Sequence, residues 1–344
     1  MSFLRNAWYV GGFSDELLQG PIARTVLNEP IVIINDGAGG LSALTDMCPH
    51  RFAPLSMGQI DGGTVKCPYH GLVFNAAGRC IHNPHGKGAR PDALSLRTYP
   101  VRQHDGLIWL WMGEPALADE VTPPLYPFLS DPAQAVQHGY LKVDANYELV
   151  TDNLLDLSHA EFLHAFIMPE GTASSIIYRA EQVANRVSAY HTMPDQPNTP
   201  LFELVLGVGV QRVDGFANSH WEAPANLMLE TGVTVLDEGD GRVALLPQTH
   251  LLTPETETST HYFWSVARDG SLDLPQLDAM LHAGLSNAFE HEDEPMIKAV
   301  QQRMAGRDFF DMGPALLPMD EGSVRARRIL AKAIAAEALV PRTT

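Results

Sequence analysis

Short blocks of apolar residues, broken by glycine and proline, mark residues 5–112. Val32-Ile33-Ile34 is an apolar run, Asn35 to Gly40 (NDGAGG) is rich in turn formers, and Leu41-Ser42-Ala43-Leu44-Thr45 alternates. That is a strand–turn–strand signal. Leu107 to Met112 (LIWLWM) is aromatic and β-prone, so this part predicts many short strands with long loops. Prolines 115, 123, 124, 127 and 132 then suit a linker. Asn146 to His164 lacks Gly and Pro, and its Leu, Val and Phe spacing is helical. Strands return from about 176 to 268, with Val243–Leu252 and Ser259–Ala267 flanking a hairpin turn at 253–257. Leu274 to Met304 is a long helical pattern interrupted near Pro295, and Val324 to Leu339 is an amphipathic helix carrying Arg325, Arg327 and Arg328. No internal repeat is visible. The fold class is α+β, with a β-rich domain over 1–115 and a helix-and-sheet domain over 116–344.

Composition narrows the function. The 344 residues are 45% hydrophobic and 19% charged, which is ordinary globular chemistry. Lys+Arg 23 against Asp+Glu 41 gives a net charge of −18, which argues against a nucleic-acid partner. No apolar run approaches the roughly 20 residues of a membrane span, so no membrane partner is expected. The start, MSFLRNAWYVGG, lacks the basic-then-apolar signature of a signal peptide. Three cysteines cannot all pair, which points to the reducing cytoplasm, where Cys and His together more often hold metal.

The strongest chemical pattern is Cys48-Pro49-His50, sixteen residues, then Cys67-Pro68-Tyr69-His70. A zinc finger usually draws two Cys from one loop and two His from another. Here each loop brings one of each, which suits a [2Fe–2S] cluster with both thiolates on one iron and both imidazoles on the other. A single zinc ion on the same four side chains is a rival. A Cys48–Cys67 disulfide is another, but it leaves the histidines unexplained. Cys80 is then a lone thiol.

These loops, CPHRFAPLS and CPYHGLVFN, with Asn6-Ala7-Trp8-Tyr9-Val10 and the run HNPHGKGARP at 82–91, resemble the Rieske non-haem iron oxygenases. Within them the chain is similar to the aromatic O-demethylase branch typified by vanillate O-demethylase and dicamba monooxygenase. The likeness runs along most of the chain and is strongest in 5–115 and 144–165. It implies an all-β Rieske domain and, after it, a helix-grip-like antiparallel sheet whose helices hold a mononuclear Fe(2+).

His159 and His164 are five residues apart. On an ideal α-helix they would diverge by roughly 140°, so both reach one metal only if the helix breaks or bulges. Taken alone, two such histidines are more often surface or core residues. The resemblance implies that they bind iron. It also implies a third, aspartate ligand, for which Phe289-Glu290-His291-Glu292-Asp293-Glu294-Pro295 offers Asp293. The bland account of this run is a solvated acidic face. Glu294 stands where relatives usually carry Lys, so Glu292 and Glu294 stay open as ligands. Asp156, one turn before His159, reads by itself as an exposed helix acid. The resemblance implies that it bridges to a cluster histidine of a neighbouring subunit, giving the path cluster, His70, Asp156, His159, iron, and a head-to-tail homotrimer. Asn153 corresponds to a position near the iron.

A ferrous ion with two His and one carboxylate leaves sites open for O2, and the cluster supplies a further electron. Gly37-Ala38-Gly39-Gly40 lacks a following helix, so the sequence has no dinucleotide fingerprint. Electrons from NADH therefore come through a separate flavin or ferredoxin-type reductase. The resemblance implies monooxygenation of a methoxylated aromatic acid, vanillate-like, to a phenol and formaldehyde. His250 stands on a strand where relatives have a substrate-facing His, and equally fits a hydrogen-bonded sheet histidine. Two alternatives are another Rieske ring-hydroxylating oxygenase and an electron carrier with no oxygenase activity. A carrier needs only about 110 residues, leaving some 230 without a task.

Overall fold

The computed structural model describes residues 3–90, 92–164, 168, 170–206, 209–236, 241–269 and 274–339; Pro91, in the run at 82–91, lies outside them. The chain forms two compact units, 3–125 with 253–256, and 126–252 with 257–339. The division between 125 and 126 falls inside the proline-rich stretch.

The first unit holds three small antiparallel sheets. Trp8–Phe13, Leu107–Trp111 and Val101–His104 form one. Ile22–Val26, Glu29–Asn35, Leu41–Thr45 and Thr98–Tyr99 form the second, and the expected turn pairs Asn35 with Leu41. Gln59–Asp61, Thr64–Lys66, Val73–Asn75 and Cys80–His82 form the third. Cys48 and Cys67 lie in one buried cluster with Val32, Leu44, Leu55, Val65 and Phe74.

The second unit is built on seven antiparallel strands in the spatial order Gln134–Val143, Ser259–Asp269, Val243–Thr256, Asn226–Val235, Arg212–Glu222, Arg186–Pro197 and Ile177–Val183. The expected hairpin turn is tighter than the sequence suggests, because the strand runs on through Pro254 to Thr256. Pro254 has no N–H to lose from the ladder, and its carbonyl accepts from Leu27 N–H at 2.9 Å. The helices are α1 (Tyr147–Leu155), α2 (Ala160–Leu163), α3 (Pro200–Leu206), α4 (Pro275–Asn287), α5 (Glu294–Met304) and α6 (Glu321–Ala338).

Two helical stretches depart from the simple pattern. The run 146–164 does not stay helical: α1 ends at Asp156 (φ −115°, ψ 96°), a 3-10 turn spans Leu157–His159, and α2 follows. Asn146 caps α1 by accepting from Glu148 N–H at 2.9 Å. The run 274–304 is not broken at Pro295. A π segment, Ala288–Asp293, joins α4 to α5, and Pro295 removes one N–H from this continuous ladder just after the segment, where the widened turn accommodates it.

An ion triad ties α1 to α6. Arg327 is 6% exposed and reaches Asp152 Oδ2 through Nη2 at 2.7 Å and Glu148 Oε2 through Nη1 at 2.8 Å, with Phe309 beneath its guanidinium at 4.6 Å. Removing the arginine strands two mostly buried carboxylates. Arg327→Met should therefore cost about 3–5 kcal/mol, read as a lower denaturant midpoint. An unchanged midpoint would show that water reaches the triad and replaces the arginine.

Candidate metal centres

The two Cys/His loops of the first unit close in the same way. Cys48 N–H donates to Ala53 O at 2.9 Å and Phe52 N–H to Cys48 O at 2.8 Å; Cys67 N–H donates to Leu72 O at 2.8 Å and Gly71 N–H to Cys67 O at 3.1 Å. The equivalent residues Phe52 and Gly71 both turn left-handed, at φ 61° and 72°. Gly71 meets this conformation at no cost, whereas Phe52 accepts it as the fourth residue after its cysteine. Each loop thus buries its sulfur and leaves its histidine at the rim. Both cysteines are free thiols, and burial pushes the Cys48 thiol up to about 11. The His50 and His70 rings stand 4.5 Å apart. His85 Nε2 lies 2.8 Å from His70 O. Two buried sulfurs and two imidazoles at the rim fit a diiron cluster, which Cys48, Cys67, His50 and His70 would hold.

In the second unit, His159, His164 and Asp293 come together, one donor atom from each lying within 4.8 Å of the others. Asp293 Oδ1 is 3.4 Å from His159 Nε2 and 3.2 Å from His164 Nε2. The break after α1 solves the angular problem, since His159 sits on the 3-10 turn and His164 has left α2 (φ −123°, ψ 68°). Both Nδ1 atoms are occupied from outside: Asp156 O is 2.7 Å from His159 Nδ1, and Glu292 Oε2 is 2.6 Å from His164 Nδ1. The inner nitrogens are therefore the Nε2 pair. Asp293 is 5% exposed, and among the described residues its ion-pair partners are these two imidazoles. A buried carboxylate without a lysine or arginine wants a cation, and two imidazoles with one carboxylate form an open-sided ferrous donor set. Burial lowers the His164 pKa, but the hydrogen bonds and charges of Asp293 and Glu292 outweigh it and raise it overall.

The other acids of the run are employed elsewhere. Glu292 takes the outer nitrogen of His164, and Glu294 faces Lys298 Nζ at 3.8 Å. Asn153 Nδ2 donates to Asp293 Oδ1 at 3.0 Å and lies 3.4 Å from His159 Nε2. Asp156 meets His159 through its main-chain carbonyl. Its side chain accepts from Ser158 N–H at 3.0 Å and is partly exposed.

His250 is fully buried, with Nδ1 2.6 Å from Tyr262 OH and Nε2 without a partner among the described residues. Burial pulls its pKa down to about 3, against the opposing pull of the Asp293 charge, so the ring is neutral. Phe289 packs against His250, Tyr262 and Trp264 at ring separations of 5.5 to 5.6 Å.

Sequence reasoning missed His191. Its Nδ1–H donates to Ala217 O at 3.2 Å, and its Nε2 accepts from Leu157 N–H at 3.4 Å, so it steadies the same peptide whose carbonyl holds His159. The available signal was a histidine at a buried position of an alternating strand. Asn287, which donates to Glu292 Oε1 at 2.9 Å, left no signal, because its partner is set by the π segment.

Residues 7–100 match the Rieske [2Fe-2S] domain family and 143–336 the vanillate O-demethylase oxygenase C-terminal domain family. The chain is 37% identical to the oxygenase component of dicamba O-demethylase from Stenotrophomonas maltophilia, covering 96% of this chain and 98% of that one. It is 39% identical to the oxygenase component of chloroacetanilide N-alkylformylase from Rhizorhabdus wittichii, over 97% of each. Its structure matches dicamba monooxygenase bound to 3,6-dichlorosalicylic acid with a TM-score of 0.91 and 36% identity, covering 99% of this chain and 100% of that one. No helix among the described residues is long and apolar enough to cross a membrane. The chain belongs to the Rieske oxygenases with a vanillate O-demethylase-type C-terminal domain, and it is the terminal oxygenase component of such a monooxygenase system.

Proposed function

We propose that this chain O-demethylates a methoxylated aromatic acid of the vanillate or dicamba kind. The observation that carries the reading is His250 Nε2, a buried polar atom without a partner among the described residues, beside an aromatic wall. We read it as one hydrogen bond offered to a ring substituent, with the substrate ring set against Phe289. A ligand in that place satisfies an atom whose isolation otherwise costs about 1–3 kcal/mol.

Cys48, His50, Cys67 and His70 hold the [2Fe–2S] cluster, and His159, His164 and Asp293 hold Fe(2+). Once loaded, the two centres supply electrons and O2 activation, so that ArOCH3 + O2 + NADH + H+ gives ArOH + HCHO + NAD+ + H2O. Asn153 fixes the Asp293 carboxylate. Asp156 is partly exposed, which leaves its carboxylate for His70 of a neighbouring copy, and we read the working unit as a homotrimer. The reductase that oxidises NADH is a separate chain. Three cysteines without a disulfide suit the cytoplasm.

A second reading is supported by charge. The His250 ring is neutral, so it brings no positive charge of its own to a substrate. An anionic substrate gains no ion pair there, whereas a neutral N-alkyl anilide would bind without one. The relative that acts on chloroacetanilides makes this specific. Feeding the reconstituted system a methoxybenzoate and an N-alkyl chloroacetanilide, with O2 uptake and product analysis, separates the two. Phenol and formaldehyde in equal amounts from the acid are expected. Turnover of the anilide alone would overturn the first reading in favour of the second.

A further inference from the structure

The two histidines at the mononuclear site are held by different kinds of acceptor. His159 Nδ1 faces a peptide carbonyl, Asp156 O, at 2.7 Å, whereas His164 Nδ1 faces the Glu292 carboxylate at 2.6 Å. The Glu292 side chain is 31% exposed, so water competes for it and its orientation needs a hold. Asn287 provides one, since its Nδ2 donates to the other oxygen, Oε1, at 2.9 Å.

Asn287 and Glu292 are five apart. On an α-helix they would point roughly 140° away from each other. In a π-helix residues i and i+5 stack, and Ala288–Asp293 is such a segment. One widened turn therefore lays Asn287 over Glu292 and also presents the next residue, Asp293, to the histidines.

We propose that Glu292 and Asn287 are positioning residues for the mononuclear iron. Glu292 locks His164 with Nε2 aimed inward, and its negative charge makes this imidazole a stronger electron donor than His159. Asn287 acts only by holding Glu292. The physical basis is that a carboxylate accepting from the outer N–H of a ligand imidazole fixes its tautomer and raises its basicity. The inference rests on His164 being an iron ligand.

The test uses the full chain with its cluster in place, stripped of mononuclear iron and titrated with Fe(II) under argon. The variants are Glu292→Gln, Asn287→Ala and the double change, and the thermal unfolding midpoint of the full chain serves as the control for folding. Glu292→Gln should weaken iron binding about 10–100-fold. Asn287→Ala should weaken it about 2–10-fold, less than Glu292→Gln, because it only loosens the hold on a carboxylate that still reaches His164. The double variant should match Glu292→Gln alone, because the asparagine has nothing else to act through. The ferrous–nitrosyl EPR signal should change rhombicity in Glu292→Gln while the unfolding midpoint stays at the parent's value, a combination that a general loosening of the fold would not produce. Wild-type affinity and an unchanged nitrosyl signal in Glu292→Gln overturn the proposal, as do additive losses in the double variant. A wild-type chain that takes up no iron beyond its cluster overturns the ligand assignment beneath it, a result distinct from the others.

Discussion

Asp156→Asn should retain both iron centres and lose turnover by about a hundredfold or more, the upper range for groups that act through a metal ligand. The substitution is clean because His159 is held by the main-chain carbonyl of residue 156, which asparagine keeps. Asparagine also caps the following turn as well as aspartate does, so the hydrogen bond from Ser158 N–H survives. What is lost is the negative charge that a neighbouring His70 would meet. Stopped-flow measurement should show the cluster reduced at the normal rate by the reductase and then reoxidised very slowly by O2 and substrate. Coupled turnover at the wild-type rate would remove Asp156 from the electron path.

The second large effect concerns the carboxylate. Asp293→Ala should drop iron from ~3 to ~2 per chain, two being the cluster's own. Its visible spectrum should stay unchanged, and formaldehyde release should fall to that of a protein-free control. Glu294→Gln is the matched comparison. Its carboxylate faces Lys298, so iron content and turnover should stay as in the parent. Loss of iron in Glu294→Gln together with retention in Asp293→Ala would reverse the assignment between these neighbours.

Much of this was legible in the chain. Two loops each contributing one cysteine and one histidine restrict the metal chemistry before any fold is known, and alternation around NDGAGG places a hairpin. The angular conflict between His159 and His164 even announces that a helix has to break. What the residues did not disclose were contacts set by backbone phase. Whether a histidine meets the carbonyl or the carboxylate of Asp156 depends on where α1 stops, and a run without Gly or Pro gives no warning of that stop. The acidic run around residue 293 reads as a solvated face because its spacing is judged against 3.6 residues per turn. The π segment changes that count, burying Asp293 while leaving Glu290 exposed. His250 was visible as a candidate, but its open Nε2 emerges only when Tyr262 is seen to claim Nδ1.

The widened turn between α4 and α5 also makes the chain unusually intolerant of a change in residue count there. A π turn amounts to one extra residue wound into an otherwise ordinary helix, so deleting one position within 288–292 would let the whole rod rewind smoothly. Such a chain would conserve every hydrogen-bonded turn and nearly all its helical signal, yet everything beyond the deletion would swing by about 100° and slide about 1.5 Å. The carboxylate at 293 would then face the wrong way and the apolar side of the following helix would lose its seat. Length constrains this stretch as firmly as the identity of its acids does.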